Sequence, residues 1–414
     1  MKQGLLCGLA WLAMCSCAMA QVSVSAVCEQ AGGWMAGGWG SYKVTVENAS
    51  DEAVTVRRFR ADWQGRGQEQ DDQGDALAIE IAPGAKWVKS EVRYMFPDLA
   101  EAGAKTPVMA GVVAVQVAED VQELPFCFEV PVAVLPETTR LIERDHVALE
   151  LRASRFEEFK HLERTARWMD QCYEAMEELT GGRPYDGNTI TLKESPPHPY
   201  WAYAGQSIIL NTDYVGSTLK DFDEGLMSFG WVHEMGHDFD DGIGDWYIWS
   251  GPACEWQANF KLCYAGETIA DQSFRYAWTF QPPHFPSPDR TKRLTGYELT
   301  EKMFLMYGDR YLADPNRSWE TLQSDEMHSL FQRIQRVYGW EIYKNWYRTY
   351  RALQAKGFEP PEAAEDKINL IVAILSHEAQ VDLVPVFQQW RLPVTSEKVK
   401  AMAQRYELPG ERAS

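Results

Sequence analysis

His233, Glu234 and His237 form the pattern His-Glu-x-x-His within residues 226–241. If that stretch is helical, the two imidazoles lie four residues apart on one face and can grip one tetrahedral metal ion. Glu234 is then rotated aside, within reach of a water on the same ion, where a carboxylate serves as general base. The chemistry such a trio supports is zinc-assisted hydrolysis, with one ion per chain. The bland alternative is a core helix with two satisfied histidines, so the surroundings decide.

A catalytic zinc takes three protein ligands and keeps one position open for water. Glu255 follows His237 after seventeen intervening residues, near the start of the next helical stretch, which is where gluzincins place their third ligand. Asn259, one turn further on the same face, can accept a hydrogen bond from a ligand imidazole and fix its tautomer. The competing metzincin pattern fails, because it needs glycine and then histidine or aspartate where this chain has Asp240 and Ile243. Hydrolysis also needs an oxyanion donor; Tyr297 and His328 are the downstream candidates, together with His284 and Tyr311. Asp238, Asp240, Asp241 and Asp245 read as a solvated acidic loop after the metal helix.

Two helices and a sheet must hold these side chains. A metal helix is expected over 222–241, capped by Asp221 or Asp223 and stopped at Asp241-Gly242, and a second over 252–265 behind Ser250-Gly251-Pro252. Gly230 and Gly236 each weaken a helix interior by roughly 1 kcal/mol, a cost kept most readily where another backbone or a ligand comes close. Upstream, residues 200–211 read as one strand whose free edge takes an extended substrate, with Ala204, Gly205 and Gln206 as backbone contacts. Residues 154–180 carry apolar side chains at helical spacing behind a capping-box pattern at Ser154, and 297–406 read as a helical lobe. Residues 21–137 show about seven alternating runs separated by turn residues, an antiparallel sandwich of immunoglobulin-like type. The expected fold is therefore an all-β sandwich followed, over 145–406, by an α+β zincin domain with a helical C-terminal subdomain.

Composition sets the context. Hydrophobic residues make up 45% and aromatics 12% of the 414 residues, enough to bury two domain cores. A net charge of -20 argues against a nucleic-acid partner. Residues 1–20 have the basic start, short apolar run and small-x-small end at Ala20 of a cleaved signal peptide, so a secreted or periplasmic protein is expected. No later stretch approaches a membrane span. Beyond the signal, Cys28, Cys127, Cys172, Cys254 and Cys263 remain. An odd number leaves at least one free thiol, and Cys28 with Cys127 is the preferred pair because both fall in the β domain.

The segment HEMGH, the run from Glu255 to Asn259, and the C-terminal segment 376–394, with Phe387, Trp390 and Leu392-Pro393-Val394, together resemble the enhancin-like gluzincin peptidases, the family numbered sixty among metallopeptidases. The resemblance covers roughly 145–405. It implies a secreted endopeptidase acting on mucins or other O-glycosylated proteins, with His233, His237 and Glu255 as zinc ligands and Glu234 as base. The chain lacks the Gly-x-Met-Glu-Asn signature that anchors a free N-terminus, which favours an endopeptidase over a zinc aminopeptidase. A rival from another class is a non-catalytic glycoprotein-binding or adhesive protein built on the same fold.

Overall fold

The computed structural model describes residues 22–30, 32–64, 75–96, 106–271, 273–277, 293–294 and 304–408. The expectations for the signal at 1–20 and for Tyr297 and His284 lie outside these residues. The chain divides into two compact units, Met1–Pro136 with Ser195–Trp201, and Glu137–Glu194 with Ala202–Ser414.

In the first unit, strands β1 (Val22–Cys28), β2 (Gly38–Asn48) and β5 (Lys86–Met95) form a three-stranded sheet in the order β1-β2-β5. Strands β3 (Val54–Trp63), β4 (Asp75–Ile81), β6 (Val108–Val117) and β7 (Asp120–Glu129) form a second, ordered β4-β3-β6-β7. All their pairings are antiparallel. Both sheets alternate inward and outward residues, and the inward sets meet in one core holding Trp34, Tyr42, Phe59, Trp63 and Met109. That alternation separates the two cysteines expected to pair. Cys28 faces the core, its thiol donating to the Gln30 carbonyl, whereas Cys127 lies between inward Phe126 and Phe128 and is exposed. Both thiols are free.

The second unit is built on a five-stranded sheet ordered β11-β12-β10-β9-β8, from β8 (Thr139–Glu143), β9 (Val147–Arg152), β10 (Ile190–Ser195), β11 (Ala202–Tyr203) and β12 (Ser207–Asn211). The β9–β10 pair is parallel and the outer pairs β8–β9 and β11–β12 are antiparallel. Buried Glu194 pins this sheet, accepting from Arg152, Arg155 and Thr212; these bonds outweigh burial and hold its carboxyl below the usual range. The helix expected from Ser154 breaks into α1 (Arg155–Glu158) and α2 (Leu162–Thr180). Phe159 is extended at φ -119°, and the amides of Lys160 and His161 donate to Asp223. Gly181 ends α2 at φ 68°.

Asp223 is thus spent on α2 and does not cap the metal helix. It closes a separate helix, α3 (Thr212–Asp223), which ends at Glu224 and Gly225, φ 80°. Met227–Ser228 (β13) then pairs with Tyr276–Ala277 (β14), and the metal helix α4 (Phe229–Asp238) starts later than expected, capped by the Ser228 hydroxyl at the Trp231 amide. Helix α5 (Gly251–Thr268) is capped by Ser250, with Pro252 in its first turn. The C-terminal part is helical: α6 (Leu305–Ala313), α7 (Ser324–Tyr338), α8 (Glu341–Ala355), α9 (Ala364–Ala379), α10 (Val384–Gln389) and α11 (Ser396–Arg405). Aromatic rings of α5 and α7 stack, Trp256 on Phe331 at 4.0 Å between centroids, with Trp346 of α8 beyond. No described helix is long and apolar enough to cross a membrane.

Candidate metal centre

Helices α4 and α5 cross where Gly236 faces Ala258. A Cβ on Gly236 would stand 2.7 Å from the Ala258 carbonyl oxygen and 2.9 Å from its Cα. Only glycine lets the two backbones approach this closely. The crossing brings His233 and His237 of α4 against Glu255 and Asn259 of α5.

Three side-chain atoms converge on one point. His233 Nε2 and His237 Nε2 are 3.1 Å apart, and Glu255 Oε2 lies 3.2 Å from the first and 3.7 Å from the second. A tetrahedral ion bonded at about 2.1 Å separates its ligand atoms by about 3.4 Å, so the donor set fits zinc without rearrangement. The outer nitrogens are committed elsewhere. His233 Nδ1 is 2.8 Å from Asn259 Oδ1, an oxygen that only accepts, so the ring carries its proton there and turns a lone pair inward. His237 Nδ1 lies 3.3 Å from Cys254 Sγ. The Phe229 ring stacks against His233 from the preceding turn, 5.9 Å between centroids.

The electrostatics match this convergence. Contacts with His233 and then His237 hold the Glu255 carboxyl well below the usual carboxylate range, though its side chain is 53% exposed. Burial alone would pull His237 down, but the Glu255 contact and the Glu234 charge outweigh it and hold the imidazole above its ordinary value. Glu234 is pushed up by burial against the pull of the two histidines, and accepts a hydrogen bond from the Ala204 amide. A half-buried carboxylate with a raised pKa has the properties of a general base.

The stretch 200–211 is a hairpin instead of one strand, turning at Gly205, φ 150°. Its turn is fastened to the metal helix: the Ala204 amide goes to Glu234, the Gly205 amide to Asp238 Oδ1 at 2.8 Å, and Gln206 offers its carbonyl to the Thr191 amide. These groups are occupied within the chain, and the outer strand on this side of the sheet is β11, Ala202–Tyr203. The acidic residues are not one solvated loop either. Asp238, 2% exposed, also accepts from the Tyr185 hydroxyl at 2.8 Å. Asp240, 9% exposed, is paired with fully buried Lys261 and accepts from Tyr247 at 2.5 Å. Only Asp241 and Asp245 are exposed.

His328 is not brought to this centre as a donor to substrate. It is fully buried, stacked on Phe304 at 3.7 Å, with Phe260 edge-on to its ring, and burial drives its pKa down to about 3. Tyr311 is buried too, its hydroxyl donating to the Trp390 carbonyl. Sequence reasoning passes over two neighbours of the candidate ligands. Cys254 directly precedes Glu255 but belongs to no CxxC metal spacing. Asp325, in the first turn of α7, lies close enough to His233 for their charges to interact, and burial raises its carboxyl to about 6.

A β-rich N-terminal unit precedes an α/β region with C-terminal helices, where two histidines and a glutamate form a candidate metal-ligand cluster. Residues 141–391 match the sequence model of "Peptidase M60, enhancin and enhancin-like", and the chain belongs to that family. It is also 22% identical over 263 residues to human TRPM8 channel-associated factor 2, which covers 63% of this chain and 26% of that protein. The chain thus spans about a quarter or less of the curated relatives it matches. Among solved structures, it is similar to a conserved Bacillus anthracis protein of unknown function, with TM-score 0.48 and 14% identity, covering 93% of this chain and 74% of that one. The catalytic module of the metalloprotease ZmpA from Clostridium perfringens is similar at TM-score 0.43 and 14% identity, covering 94% and 79%.

Proposed function

We propose that the protein is a secreted, zinc-dependent endopeptidase of the gluzincin type that cleaves O-glycosylated, mucin-like proteins. The observation that carries this reading is the meeting of three lone-pair donors, His233 Nε2, His237 Nε2 and Glu255 Oε2, at 3.1 to 3.7 Å. In the metal-free chain a proton on either ring can bridge these atoms to Glu255, and a cation bound among them would take that proton's place. Zinc held there would polarise a scissile carbonyl and acidify water.

The remaining chemistry belongs to the chain. Glu234 takes a proton from the attacking water and delivers it to the departing amide nitrogen, and its partial desolvation strengthens it as a base. Asn259 holds the His233 ring with its Nε2 turned inward. The Ala204 bond sets the hairpin beside Glu234, so an extended peptide added along β11 would run past the base. Family membership supports a glycoprotein substrate. The N-terminal unit, whose three- and four-stranded sheets suit an immunoglobulin-like sandwich, is assigned a packing or binding role.

The test is mass spectrometry of fragments from a mucin and its deglycosylated form, with Glu234→Gln as control. Internal cuts confined to the glycosylated sample are expected. Release of single residues from free N-termini would identify an aminopeptidase, and binding without cleavage would favour an adhesive protein.

A further inference from the structure

The contact between Cys254 and His237 is not part of the reading above. Cys254 sits in the first turn of α5, immediately before Glu255, and its sulfur is 3.3 Å from the outer nitrogen of His237. A carboxylate commonly orients a zinc-bound histidine, and Asp240 is close by. Donor atoms of His237, Asp240 and Cys254 all lie within 4.8 Å of one another.

Two roles compete for this trio, a second metal site or a support for the first. Asp240 Oδ1 is taken up by the Lys261 ammonium and the Tyr247 hydroxyl, in a pair where Lys261 is completely buried. A second cation would have to share that pocket with an ammonium. It would also need the outer nitrogen of His237 stripped of its proton while the inner one is already committed to the first ion. Neither condition suits a metal. Asp240 Oδ1 is engaged by Lys261 and its Oδ2 makes no hydrogen bond, so the sulfur is the group that touches Nδ1.

We propose that Cys254 is the positioning residue for His237, its sulfur accepting the Nδ1–H bond that aims the Nε2 lone pair at the metal, as the Asn259 amide oxygen does for His233. The inference rests on the zinc reading of the centre. Sulfur is the weaker acceptor, so the two ligands are unequally supported. Removing the thiol should loosen zinc less than removing the Asn259 amide.

The experiment is competition for zinc with a chromophoric chelator, using the full chain as wild type, Cys254→Ser, Cys254→Val and Asn259→Ala, with thermal melts of the metal-free proteins. Valine keeps the bulk without an acceptor, and serine keeps an acceptor. Wild type is expected to hold one zinc and Cys254→Val to bind about tenfold more weakly, the low end of the range for partners of metal ligands. Cys254→Ser should stay close to wild type and Asn259→Ala should lose more than Cys254→Val, with the metal-free melts of wild type, serine and valine coinciding. Equal zinc affinity of wild type and Cys254→Val would overturn the proposal while leaving the zinc reading intact. So would a serine variant as weak as valine, or a second zinc on wild type that valine abolishes. A wild type that takes up no zinc would overturn the zinc reading and this inference with it.

Discussion

Gly236→Ala tests the link between backbone packing and metal binding. The added methyl would meet the Ala258 carbonyl oxygen at 2.7 Å, about 0.7 Å short of ordinary contact at 3.4 Å, and the opposing atoms are backbone that cannot rotate away. Helices α4 and α5 must separate at their crossing by most of that distance. Overpacking of this kind costs about 1–3 kcal/mol, and alanine's helix preference returns about 1 kcal/mol. The net loss of about 0–2 kcal/mol lowers the melting temperature by a few degrees in a domain of this size. The metal suffers more. Glu255 and Asn259 flank Ala258 on the displaced helix, while His233 and His237 stay on the other, and a site of this kind tolerates only about 0.5 Å of displacement. Zinc affinity measured by chelator competition should fall at least about tenfold. Gly251→Ala is the control, since nothing lies within 4 Å of the added methyl. Wild-type zinc affinity in Gly236→Ala would refute the argument that this contact sets the metal geometry.

Glu234→Gln should keep zinc and fold while hydrolysis falls about 10²–10⁴-fold, the scale of general-base catalysis; turnover within a few-fold of wild type would exclude it as base. Lys261→Met strands the buried Asp240 carboxylate, and denaturant unfolding should show a loss of about 3–5 kcal/mol. Asp238→Ala removes one of the two bonds that fasten the hairpin to the metal helix, so KM for a peptide should rise with zinc affinity unchanged. The metal-free protein should be most stable at intermediate pH. Glu255, held below its ordinary 4.5, contributes stability that is present above 4.5 and lost as pH falls through its folded value. His237, held above 6.5, contributes stability that is complete below 6.5 and lost as pH rises through its folded value. Melts of the metal-free chain across this range check it, and a stability that only rises with pH would contradict it.

The candidate ligands were legible because their signal is local. Four-residue spacing places His233 and His237 on one helix face, and Glu255 and Asn259 are likewise one turn apart. Strand alternation was visible too, although the bulge between Val56 and Arg58 switches the buried positions of β3 from even to odd. What escaped depends on partners distant in the chain. Asp223 looked like a cap for the metal helix, but its carboxylate reaches back to Lys160 and His161, leaving Ser228 to do the capping. Asp238 and Asp240 looked solvated because Tyr185, Gly205, Tyr247 and Lys261 are joined to them only by folding. Gly205 was read as part of a strand, and only its φ of 150° marks it as a turn. Cys28 and Cys127 share a domain, yet one faces its core and the other points away.

The central claim is met most directly by anomalous diffraction at the zinc edge from crystals grown with one equivalent of zinc. A single peak is expected, bonded to His233 Nε2, His237 Nε2 and Glu255 Oε2 at about 2.0–2.2 Å. Zinc elsewhere, or zinc on the histidines with Glu255 turned away, would contradict the account.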